Sequence, residues 1–397
     1  MVSAVTGRRR SRKSIIRVAP VVAAVACVVC ACVGGASAGA PNYRYAVNAR
    51  DIALAKRIAT ISGDLPALGW KGGATKPDRS SDSSTCKGQP PEDLHGLTVT
   101  GDAATRYELP GTVLYVQVQL LARPAMADAD WQRNRPRSGT LGCYGREVVR
   151  TVHQRGARLV RDRLLPIPPL GDHQYAVRAV VTWAGAAHPV LFDVISVSSG
   201  RAEYSIVMAG PDAGRADEAG TLGVELRVAL GLEARVLDQV TSTQSGSAPR
   251  IEGAFRTTDR EVAVVHTFGL GTRSSQTWNF APGCAVGGCV TTMSHPSRDH
   301  PGTTFRATLR PAGMETYRGR WQSHSDCVIA YPDGRKSVLP NQWLVQEYMT
   351  LHVTTGPGGS TTGYTGTRLT RSTPLAGARA HGCTITGYQL DEVHGSS

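Results

Sequence analysis

At 397 residues the chain has room for two domains of ordinary size. Its net charge is +13, and Arg8, Arg9, Arg10, Arg12, Lys13 and Arg17 precede any acidic residue, so removing those six leaves +7 beyond residue 40. That modest surplus comes without a basic run or an arginine-rich helix, which argues against nucleic acid as a partner and leaves weak attraction to anionic envelope polymer or lipid.

The N-terminus reads as a targeting segment, residues 1–40. Basic residues come first, an uncharged apolar run from Val18 to Val33 follows, and small residues close it. The run is shorter than the roughly 20 residues that span a bilayer. Ala36-Ser37-Ala38 fits a signal-peptidase site with Gly39 as the first mature residue. Val29-Cys30-Ala31-Cys32 loosely fits a lipid-attachment box, which makes Cys32 the lipidation candidate; an uncleaved signal anchor is the third alternative. All three export residues 41–397, because the basic end stays cytoplasmic. Abundant Gly, Ala and Arg with few Lys and aromatics fit a high-GC bacterial genome.

Residues 41–241 read as an α+β domain with an antiparallel sheet and helices on one side. Val47 to Ile61 has helical period, with Ile52, Ala55, Ile58 and Ala59 on one face. Residues 71–92 read as a polar loop. Leu97–Ala104 and Val113–Leu121 are strands, Ala125–Arg133 is a helix, and a second helical run carries Cys143. Four strands follow, Arg158–Leu165, His173–Trp183, Val190–Ser198 and Arg201–Met208. A closing helix, Asp217–Val240, presents an apolar stripe of Leu222, Leu226, Ala229, Leu230 and Val236.

Residues 242–250 read as a linker, being short, polar and Ser-rich. From 251 to 397 helical period disappears. Seven or eight short segments rich in Thr, Val and aromatics, bounded by Gly, Pro, Asp and Asn, predict an all-β up-and-down barrel or clamshell.

Nine cysteines occur, and Cys86, Cys143, Cys284, Cys289, Cys327 and Cys383 lie beyond the targeting segment. An even number in an exported chain predicts disulfides, and no C-x-x-C pair beyond residue 40 invites zinc. Cys86 and Cys143 pair as the two cysteines of their domain. Cys284 and Cys289 flank a hairpin tip, which leaves Cys327 with Cys383; the other two pairings of those four stay open.

Two resemblances add to this reading. Asp64-Leu65-Pro66, Gly69-Trp70, the cysteine before Leu94-His95-Gly96-Leu97-Thr98-Val99-Thr100-Gly101, the later helical cysteine and the closing helix make residues 47–240 resemble the PsbP-like fold of actinobacterial lipoproteins and of the extracellular sensor domains of mycobacterial Ser/Thr kinases. The run Trp278-x-Phe280-x-Pro282-x-Cys284 followed by Cys289 makes residues 253–390 resemble a disulfide-bearing β domain of secreted actinobacterial proteins that has no settled activity. The first resemblance implies an envelope location and a sensing or binding role. Neither brings catalytic residues.

Chemistry-bearing motifs are sparse. No G-x-S-x-G, H-E-x-x-H or P-loop occurs, and the glycine-rich stretches lie between strands, where they make turns. His295, Asp299 and His300 have metal-ligand chemistry, but the flanking Pro296, Ser297, Pro301 and Gly302 read as a hairpin turn, so no metal and no cofactor is expected. Trp278, Phe280, Trp321, Tyr331, Trp343 and Tyr348 sit at strand spacing, and either fill the barrel core or line a small cavity. The sequence therefore predicts an exported, disulfide-stapled, non-enzymatic envelope protein that binds a lipid, a glycan or an envelope protein and stays near the membrane through its N-terminal segment. The alternatives are an extracellular hydrolase, which a serine-hydrolase activity probe would reveal, and a surface spacer.

Overall fold

The computed structural model describes residues 44–397 except 62–64, 66–67, 80–95, 135–144, 147, 150–151, 153, 155, 213–214, 241–248, 266–271, 286–287, 297–301, 313–314, 331–334, 358, 381–382 and 384–385. The targeting segment with Cys32, and the cysteines Cys86 and Cys143, lie outside the described residues.

The N-terminal half is one eight-stranded sheet. Its strands are β1 (Arg44–Tyr45), β2 (Lys71–Thr75), β3 (Thr98–Leu109), β4 (Thr112–Leu121), β5 (Arg158–Leu164), β6 (His173–Thr182), β7 (Val190–Ser199) and β8 (Ala202–Pro211). They run in the order β1-β3-β4-β8-β7-β6-β5, and β2 shares the outer edge of β3 with β1. β2 falls inside the stretch that composition reads as loop. An edge strand needs only backbone pairing, and Gly72 makes that pairing feasible: a Cβ there would stand 2.0 Å from the Arg106 carbonyl oxygen.

Helix α1 (Ala49–Ala59) starts where the Asn48 side chain accepts a hydrogen bond from the Asp51 N–H at 2.9 Å. It buries Ala55, Ile58 and Ala59 against the sheet face formed by Leu114, Val116, Val118 and Leu120. The period of two puts Val113 and Tyr115 on the opposite face, in a separate apolar cluster with Val181 and Phe192. Helix α2 (Pro124–Asn134) packs against β4, β7 and β8.

Helix α3 (Arg215–Val240) is the hub of the molecule. Sequence periodicity predicts one apolar stripe, but Val228, Ala229, Leu230, Leu232, Ala234, Val236 and Leu237 are all buried. A helix closed in on more than one side has no solvent face to keep polar. One side lies on the sheet, beside Tyr204 and Ile206. The other meets the outward side chains Ala263, Tyr348, Leu369, Tyr388 and Leu390 of the C-terminal half, all within one apolar cluster. Each fully buried Leu or Val of this helix contributes about 1.5–3 kcal/mol of transfer free energy before entropy is set against it.

The C-terminal half is a closed antiparallel barrel. Its strands are β9 (Gly253–Val265), β10 (Arg273–Ala285), β11 (Gly288–Pro296), β12 (Thr304–Pro311), β13 (Thr316–Ala330), β14 (Lys336–Thr355), β15 (Thr361–Pro374) and β16 (Gly387–Ser396). Each pairs with the next, and β16 returns to β9, so the topology is up-and-down. The seam is shortest between β12 and β13, which pair only over Leu309–Pro311 and Tyr317–Gly319. Within the stretch read from sequence as all-β, the residues after β15 form the five-residue helix α4 (Ala376–Ala380), which buries Ala378.

A disulfide joins Cys327 of β13 to Cys383 beyond α4, with Cα atoms 6.7 Å apart. Cys284 and Cys289 stand directly opposite each other in the β10–β11 register.

Candidate functional site

The barrel lumen brings together the residues most suited to binding. Alternation along the strands turns Phe255, Trp278, Phe280, Met293, Leu309, Leu351 and Tyr364 into its core. From the β11–β12 end a chain of rings runs inward. Trp321 meets Phe305 edge-on at 5.1 Å, and Phe305 stacks on His295 at 4.8 Å. His295 stacks on Trp278 at 5.6 Å, and Trp278 on Tyr364 at 6.1 Å. Phe280 and Phe255 close the inner end, each about 5.5 Å from Tyr364 or from the other. Offset and edge-on contacts of this kind are the favoured aromatic geometries. Trp321, Phe305 and His295 are half-buried and form a mouth, whereas Trp278 is fully buried behind them.

Among the described residues three polar atoms in this region have no partner: the indole Nε1 of Trp278, the indole Nε1 of Trp321 and the hydroxyl of Thr291. Buried polar groups without partners cost free energy, and they mark places where water or a ligand atom completes the bonding. Other polar groups nearby are satisfied. Nδ1 of His295 donates to the Pro296 carbonyl at 2.8 Å, and the Tyr364 phenol bonds the Thr257 hydroxyl, with burial pushing that phenol's pKa up.

Further along the lumen lies an ion network. Arg368 reaches Asp391 at 2.8 Å and Asp259 at 3.0 Å, Gln389 donates to Asp391 and Glu261, and Ser274 holds the second face of Asp259. The guanidinium spans two carboxylates that would otherwise repel, so this part of the lumen is filled and braced.

A second polar cluster sits where α3 passes between sheet and barrel. Glu233 accepts hydrogen bonds from Ser199 and Tyr204, each at 3.0 Å. Burial pushes its pKa up to about 7, with those bonds opposing the shift. Asp172 bonds the Gly200 N–H and pairs with Arg318 of β13 at 2.8 Å, a direct link from sheet loop to barrel. His352 lies in the same region, and its burial lowers its pKa. Near the end of α3, Asp238 pairs with Arg320 at 2.6 Å and faces the Tyr348 hydroxyl.

The residues singled out from sequence fall into different environments. Trp278, Phe280 and Trp321 belong to the lumen. Trp343 is half-buried, opposite Pro374 and Ser325. Tyr348 faces outward, against α3, because it is out of phase by one with Met349 and Leu351, and a shift of one residue changes the face. Tyr331 lies outside the described residues, as do Asp299 and His300, while His295 is a member of the ring chain. Phe255, Phe305, Tyr364 and Thr291 were not singled out. The alternation Phe305-x-Ala307-x-Leu309 is the signal that places the first of these inward.

No family model matches the chain, and no curated protein matches it. Among solved structures, the sensor domain of PknI from Mycobacterium tuberculosis, in its monomer form, is similar at 12% identity and a TM-score of 0.21, covering 37% of this chain and 87% of that one. A Bacteroides fragilis protein described as a candidate outer membrane protein is similar at 6% identity and a TM-score of 0.17, covering 75% of this chain and 89% of that one. At such scores neither likeness carries an argument about function.

Proposed function

We propose that this is an exported, non-enzymatic binding protein of the cell envelope, and that its ligand is a glycan whose ring faces stack at the mouth of the barrel. The observation that carries the reading is the chain of aromatic rings that reaches the barrel end at half-buried Trp321, Phe305 and His295, where the Trp321 indole N–H has no partner among the described residues. Sugars offer both an apolar ring face and hydroxyl acceptors, which matches rings with such a donor. Export is supported by the basic–apolar–small order of residues 8–40 and by a disulfide in the barrel.

Tryptophan fluorescence of the exported chain, titrated with neutral oligosaccharides, tests this. Binding that quenches Trp321, and that Trp321→Ala weakens at least tenfold with the thermal midpoint retained, is the expected result. Quenching by phospholipid vesicles and by no oligosaccharide overturns the glycan reading.

A further inference from the structure

The outer face of strands β9 to β12 has a composition its structural role does not require. Strands β10, β11 and β12 contain no Asp or Glu. Their outward positions, with those of β9, carry Arg256, Arg273, Arg306 and Arg310 among Ser, Thr and Asn residues. All four arginines are exposed.

Arg260 and Arg273 stand directly opposite each other across the β9–β10 pair. Like charges in cross-strand register destabilise a sheet. Glu392 on β16 neutralises Arg260, and Asp259 is held from the lumen by Arg368. This leaves Arg273 exposed at a cleft of about 570 Å³ that also presents Thr258, Ser275, His394 and the already paired carboxylates of Asp259 and Glu392. Glu392 offsets one of the two facing charges, and Arg273 is the guanidinium left open to an anion from outside.

We infer that this face is the docking surface for an acidic polysaccharide, with a carboxylate-bearing sugar seated at Arg273 and the chain crossing toward Arg306 and Arg310. Guanidinium forks match carboxylates bidentately, and the flanking hydroxyls of Thr258, Ser275 and Thr277 match sugar hydroxyls. The neighbouring strands lie about 4.8 Å apart, so a chain crossing from β9 to β12 follows the curved barrel wall for about 14 Å. The chemistry disfavours the other polyanions. The outward positions of these strands hold no aromatic side chain on which the bases of a single strand could stack. They also hold no large apolar group to enter a bilayer, as membrane-surface binders do. The inference does not depend on the ring-lined mouth, which is a separate surface.

The test uses the exported chain and polygalacturonate, with neutral dextran, phosphatidylglycerol vesicles and duplex DNA as comparisons, at 20 and 200 mM salt. Polygalacturonate is expected to bind, and to weaken steeply with salt. Changing Arg256, Arg273, Arg306 and Arg310 together to Gln is expected to weaken it at least tenfold. A control with Arg50, Arg57, Arg123 and Arg158 changed to Gln removes the same charge from exposed positions on the sheet half and should retain affinity within threefold. Equal loss in both variants would show attraction to net charge alone and overturn the proposal. So would preference for vesicles or DNA over polygalacturonate. Arg273→Gln by itself should leave the thermal midpoint unchanged, since the side chain is exposed, which separates lost binding from lost folding.

Discussion

Tyr388 of the barrel wall packs onto Gly231 of α3, its hydroxyl oxygen 3.0 Å from where a Cβ on that glycine would stand. The glycine sits in mid-helix, where it costs roughly 1 kcal/mol relative to Ala, and what it permits is close approach of barrel and helix. Gly231→Ala should therefore be near neutral, propensity gain offsetting crowding of a ring that can shift. Gly231→Leu should cost about 1–3 kcal/mol by overpacking. Thermal unfolding of both variants checks this, and a stabilised Gly231→Leu would mean that helix and barrel wall are not in contact.

Glu233 gives a pH dependence of definite sign. Its folded pKa, about 7, lies above the ordinary 4.5. The group therefore favours the fold fully below pH 4.5, and that contribution is lost as pH rises to about 7, up to about 3 kcal/mol. Glu233→Gln should flatten the stability curve between pH 5 and 7 and raise the midpoint at pH 8. A curve of unchanged slope would show that Glu233 is solvated.

Arg178 and Asp193 form a buried pair beneath α3, with Nε–Oδ1 at 2.7 Å. Glu225 of α3 is buried beside them, and burial together with Asp193 pushes its pKa up. Arg178→Met strands Asp193 and should cost about 3–5 kcal/mol. Arg178→Met combined with Asp193→Leu should recover much of that loss, as urea unfolding would measure.

The Cys327–Cys383 bond closes a loop across 56 residues. Loop-closure entropy predicts a loss of up to about 4 kcal/mol when both are changed to Ser. The same loss should follow reduction of the native protein, measurable as a drop in midpoint with added thiol. A double-serine variant as stable as the parent, with reductant also without effect, would place the bond outside the energetics of the fold.

Much of the architecture was legible in local pattern. The period of two in Val113–Leu121 and the turn-bounded Thr/Val segments after residue 253 specify strands because each side chain's burial follows its phase. The composition of α3 showed that it is helical, but not that it is buried between two layers. That depends on Ala263, Tyr348, Leu369, Tyr388 and Leu390 arriving from strands more than twenty residues further along the chain. Tyr348 marks the same limit, since its aromatic character is visible in the sequence while its side of the barrel wall depends on register with β13 and β15. The ring chain and the arginine face likewise draw on several strands apiece, so they exist only after closure. The sequence by itself determined the elements, because propensity and periodicity act over a few residues. Only the tertiary structure decided which side chains share a surface, because that is set by strand pairing and packing between distant segments.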